Sequence, residues 1–136
     1  MKRALSKTVR QILSFLPMLF GVVFLIGLFQ ALLPRSVYIA VFRKQPVIDS
    51  ILGSLLGSIL AGNPVTSYVL GGEFLRQGVS LVAVTAFLVA WVTVGVVQLP
   101  VEAMYLGRRF ALLRNLFGFL FSILVAIVTV FLLSLL

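Results

Sequence analysis

Three long apolar runs decide what this chain can fold into. Residues 14–33 read SFLPMLFGVVFLIGLFQALL and residues 79–99 read VSLVAVTAFLVAWVTVGVVQL, both without a charge. Residues 110–136 carry one charge, Arg114, and stay apolar to the last position. Twenty helical residues reach about 30 Å, the thickness of a bilayer's hydrocarbon core. Each run is therefore read as a membrane-spanning helix. Composition agrees: 62% of the 136 residues are hydrophobic and 10% charged. A soluble domain has about 45–50% apolar and about 25% charged residues. A chain this small could not hide so much apolar surface from water.

The formal charge of +8 sets eleven Lys and Arg against Asp49, Glu73 and Glu102. The cations stand between the apolar runs, where membrane proteins keep their flanking charges, and not on one soluble face, so nucleic acid is not an expected partner. Cys and His are absent, which removes disulfides, thiolate and imidazole metal sites and Ser–His or Cys–His catalysis within the chain. No nucleotide-binding loop is present, and three scattered carboxylates make no catalytic pair. Neither enzymatic activity, a cofactor nor a metal is expected. The basic segment 1–13 resembles the start of a signal peptide. The apolar run behind it is too long for one and lacks a small-x-small cleavage site, so it is read as a retained helix.

Residues 35–46 form a short linker whose centre, VYIAVF, suits the membrane interface. The segment 47–76 is different. It holds two short Gly/Ser-rich pieces divided at Asn63-Pro64, and residues 51–61 would reach only about 17 Å as a helix. Such a pair suggests a re-entrant hairpin that leaves the membrane on the side it entered; the alternative is one Pro-kinked helix. With three crossings, a hairpin and the N-terminus inside, Lys2, Arg3, Lys7, Arg10, Arg108, Arg109 and Arg114 lie inside, against Arg35, Arg43, Lys44 and Arg76 outside, a weak positive-inside bias. A full crossing in place of the hairpin removes even that bias.

The hairpin break carries the expected chemistry. Gly62 suits a helix C-terminus, Asn63 an N-cap and Pro64 the first helical position. Two helix ends would then meet, one presenting carbonyls and the other N–H groups with opposite partial charges. Thr66 and Ser67 add hydroxyls. Asn63, Pro64, Thr66 and Ser67 are accordingly assigned to a substrate path, joined by Gln98 and Glu102 from the Gln-Leu-Pro-Val-Glu end of the 79–99 run. Glu102 is read either as a coupling group or as a carboxylate paired with Arg108 or Arg109. Glu73 and Arg76 have ion-pair spacing and form a second candidate for pairing or coupling. Asp49 looks like a helix-start carboxylate, and Trp91 suits a packed interior. Small residues at intervals of four, Gly53, Gly57 and Ala61 with Ser50, Ser54 and Ser58, and Gly118, Ser122 and Ala126, mark faces for helix packing or a subunit interface.

The stretch AGNPVTSYVLGGEFLRQGVSLVAVTAFLVAWVTVGVVQLPVEAMYLGRRFALLRN resembles the predicted-permease family that includes the ArsP-type organoarsenical efflux permeases. The likeness runs over residues 52–115 and is to the second half of those larger proteins, with Leu99, Pro100 and Glu102 in a Leu-Pro-x-Glu position. It implies transport. The chain is about half as long as those members and lacks their cysteine-rich break, which argues against thiophilic arsenicals as cargo. The resulting expectation is an all-α integral membrane protein of three spans and one re-entrant hairpin, half of an inverted-repeat permease. It would move a small solute or ion and work as a homodimer, parallel or antiparallel, or with a second half-size permease, in a prokaryotic plasma membrane. A channel-like pore and an accessory subunit are the alternatives.

Overall fold

The computed structural model describes residues 35–60 and 63–136, together with positions 7, 8, 10, 13, 14, 16, 17, 20, 21, 23, 24, 27, 28, 31 and 32. The chain divides into two compact units, Met1–Pro34 and Arg35–Leu136. In the first, the described positions are helical; the span read over residues 14–33 falls partly outside the described residues, as do Ala61 and Gly62. The second unit holds α1 (Arg35–Val41), α2 (Pro46–Ile59), α3 (Pro64–Arg76), α4 (Leu81–Thr93), α5 (Leu99–Leu106) and α6 (Arg108–Ser134). Among the described residues all regular structure is helical.

Local chemistry fixes the helix ends. Pro46 and Pro64 open α2 and α3, where a missing N–H breaks no intrahelical bond. Asn63 caps α3, its Oδ1 accepting from Val65 N at 2.9 Å, and Ser80 caps α4 through Ala83 N. Gly78 (φ +93°) and Gly107 (φ +89°) make the sharp turns into α4 and α6 with backbone angles that side chains disfavour.

Contacts along the helices give their directions. Gly53 of α2 lies against the backbone of Ala83, and Gly57 against Phe87 and Trp91. Both numbers rise together, so α2 and α4 run parallel. Asp49 and Ser80, hydrogen-bonded to each other, put the two N-termini level. Between them α3 runs the other way, with Gly71 against Val84 and Leu88 and the Phe74 ring edge-on to Phe87 at 5.3 Å. The chain from Pro46 to Arg76 therefore goes out and comes back. Its two arms lean chiefly on α4 rather than on each other. α6 runs antiparallel to α4, with Gly118 beside Thr93 and Val94, and Ala126 packed with Val82 and Ala86. Phe87 stacks edge-on to Trp91, which is buried.

One of the expected spans is corrected. Residues 110–136 do form a long helix, α6, and among the described residues it alone is long and apolar enough to cross a membrane. The run 79–99 does not. Its helix α4 has 13 residues, about 20 Å, and the chain turns extended at Val94. Pro100 explains the break: a continuous helix would drive its ring into the carbonyl of residue 96 and leave that carbonyl unpaired. The β-branched pairs Thr93-Val94 and Val96-Val97 around Gly95 add poor helix formers. Pro100 thus begins α5 instead of ending a span.

A candidate transport site at two helix breaks

The α2–α3 break at residues 60–63 and the α4–α5 break at residues 94–98 lie at the same end of the bundle. Val96 N donates to Ser58 O at 3.4 Å and ties them. The α4–α5 break faces the middle of α6, since Gly118, ten residues into that helix, touches Thr93 and Val94.

Asn115 organises this region. It is the single Asn of α6 and is buried. Its Oδ1 accepts from Gly95 N at 2.8 Å, its Nδ2 donates to Ala111 O at 2.9 Å, and the same Nδ2 reaches Glu102 Oε2 at 3.3 Å. The amide holds the α4–α5 break open by taking the N–H that a continuing helix would have given to Trp91 O. Glu102 is also ion-paired with Arg114 Nη1. Its side chain is 16% exposed and the arginine 40%, so this pair is shielded more than a surface one. The partner is Arg114, and not the Arg108 or Arg109 read from the sequence.

At the other break, the side chains divide into those already engaged and those available. Ser67 Oγ is buried and donates to Pro64 O at 2.7 Å. Asn63 spends its Oδ1 on the cap, while its Nδ2 and the Thr66 hydroxyl make no hydrogen bond among the described residues. Gln98 is exposed and folds against Gly95, where a Cβ would stand 3.0 Å from its Oε1. Glu73 and Arg76 sit at the opposite end of α3 from Asn63, 3.9 Å apart, with Gln77 Nε2 on Glu73 Oε1 at 2.8 Å. The structure places Asn63, Pro64, Thr66 and Ser67 at one break and Gln98 and Glu102 at or just past the other, and separates Glu73 and Arg76 from them.

The small-residue faces lie within the chain. A Cβ on Gly53 would come 2.0 Å from Ala83 O, and one on Gly57 2.3 Å from Phe87 O. Ser54 and Ser122 share a 2.7 Å hydroxyl contact, and Ser122 and Ala126 are fully buried.

The whole-chain comparison decides what this scaffold is. A family model described as a predicted permease, ArsP_1, matches residues 1–134. The chain belongs to this permease family. The match takes in the first apolar run and the linker as well as the 52–115 stretch from which the resemblance was read. Comparison with curated proteins and with solved structures gives no match. Membership makes the chain a membrane protein of transporter type. The residues at the breaks that the sequence reading missed are Asn115 and, as the acid's partner, Arg114. A lone carboxamide in a long apolar helix was a usable signal, because an unpartnered polar group is costly in lipid.

Proposed function

We propose that the chain is one half of a permease that moves a small solute or ion, and that the solute passes the paired helix breaks. The observation that carries this reading is the Val96–Ser58 link, which brings two interrupted helices to one level beside the middle of α6. In hydrocarbon, irregular backbone is tolerated where it lines a cavity or is buried in protein. Broken helix ends supply carbonyls and N–H groups that replace a solute's water, with partial charges of about half an electron. Asn63 Nδ2 and the Thr66 hydroxyl add free polar groups to one side. Glu102, Arg114 and Asn115 line the other, and movement of Glu102 between Arg114 and the path would couple binding to the state of the break.

In this reading residues 46–76 form the re-entrant hairpin, and residues 14–33, α4 with α5, and α6 cross the membrane. An odd number of crossings makes a tandem copy inverted. The functional unit is then a dimer, either of two copies in opposite orientation or with a second half-permease, in a prokaryotic plasma membrane.

Transport by reconstituted protein tests the site. With a panel of small solutes in proteoliposomes, the wild type should show saturable flux, and Asn63→Ala and Glu102→Gln should each lower it at least about tenfold, the loss of one or two hydrogen bonds to a charged or polar solute. Both variants should still insert and assemble. Flux that rises linearly with concentration would mean a channel-like pore, and full function in both variants an accessory role.

A further inference from the structure

At the end of the bundle away from the breaks, a second polar site is built around Asp49. This acid stands in the first turn of α2 and is 0% exposed. One oxygen, Oδ2, accepts from Ser80 Oγ. The other, Oδ1, is buried and has no hydrogen-bond partner among the described residues. A carboxylate taken out of water with half of its acceptor capacity unused costs several kcal/mol unless another group completes it. Beside it is a cavity of about 340 Å³ whose lining includes Lys44, Pro46, Asp49, Val79, Ser80 and Val82. The permease reading makes no use of any of these groups.

Structural anchoring alone accounts for Oδ2, since the Ser80 bond levels α2 with α4. It leaves Oδ1 without a role. We infer that Asp49 is a binding site for a small monovalent cation, a proton or a sodium ion, held by Asp49 Oδ1 with the Ser80 hydroxyl and reached through the cavity beside Lys44. The charged surroundings allow this. α4 carries no charge, and the charges of α6, Arg108, Arg109 and Arg114, lie in its first two turns, at the end beside the breaks. From α3 come Glu73 and Arg76, which pair with each other. Arg43 and Lys44 come from the linker before α2, and Lys44 makes no ion pair with Asp49 among the described residues. Lys44 adopts the left-handed backbone (φ 58°) that a non-glycine residue seldom takes, and its long stem lets the ammonium stand over the acid when the cation leaves. A coupling role for this cation rests on the permease reading; the binding itself does not, and it is measured without transport.

The test uses the purified full chain in lipid nanodiscs. Radioactive sodium binding is measured with choline as the ionic-strength replacement, and infrared difference spectra between acidic and alkaline buffer report a protonated carboxyl. Saturable sodium binding that is lost in Asp49→Asn supports the site with sodium as its ion. A carboxyl band that comes and goes with pH, persists in Glu73→Gln and is missing in Asp49→Asn supports it with the proton. If neither signal depends on Asp49, the acid is only an anchor and the inference fails. Should Asp49→Asn not fold, Ser80→Ala keeps the carboxylate and removes its hydroxyl. That variant should bind sodium about tenfold more weakly or shift the carboxyl band; behaviour identical to wild type on both readouts overturns the proposal.

Discussion

Single atoms set the limits of this fold most sharply at Gly53 and Asn115. Gly53 is present because the Ala83 carbonyl occupies the place of a side chain, 2.0 Å from where a Cβ would be. Gly53→Leu should therefore force α2 off α4 and destabilise the protein by about 3 kcal/mol or more, read as a lower thermal midpoint in detergent. Gly72, with open space around it, is the control: Gly72→Ala should be neutral or stabilising by up to about 1 kcal/mol. Asn115→Leu removes the acceptor of Gly95 N–H and one donor to Glu102. Leaving those buried groups unmatched should cost about 1–3 kcal/mol and lower transport, while insertion into the membrane persists. Spacing alone revealed Gly53 and Gly57 as a packing face; which helix they met was not legible, because a stripe of small residues fits any partner equally well. Asn63 and Pro64 were legible as a cap and a first helical residue because both act on their own backbone. The partner of Glu102 was not, since Arg108, Arg109 and Arg114 lie within one short stretch and only the turn at Gly107 selects among them.

Helices repeat the lesson at larger scale. The break at Asn63-Pro64 could be read because helix-stopping and helix-starting residues are adjacent there. The break after Thr93 was hidden inside an unbroken apolar run. Hydropathy measures transfer into lipid and is blind to backbone hydrogen bonding, so it merged α4, the extended residues and the start of α5 into one span. The signals that did exist were Pro100 with its reach back to residue 96, and the Asn of α6 that receives the Gly95 N–H. Helix register can be checked directly, because the chain contains no cysteine. Ser54 and Ser122 hydroxyls are 2.7 Å apart, so the Ser54→Cys, Ser122→Cys double variant should form an intramolecular disulfide under mild oxidant. A shift on non-reducing gels that disappears with reductant reports it. Ser54→Cys with Ile127→Cys, more than one helical turn along α6, should not cross-link.

Across the whole molecule, the decisive feature is the direction of travel through the chain from Pro46 to Arg76. Parallel α2 and α4 with level N-termini require the segment between them to return. That return distinguishes a hairpin, which exposes helix ends beside α6, from a kinked rod that carries the chain to the other side. Arg43 and Arg76 flank the segment and are exposed. Single cysteines at these two positions, in sealed vesicles of known orientation, can be labelled with a membrane-impermeant maleimide. Arg43→Cys and Arg76→Cys should react from the same side of the membrane. Labelling of the two from opposite sides would mean that the segment runs through as a kinked rod.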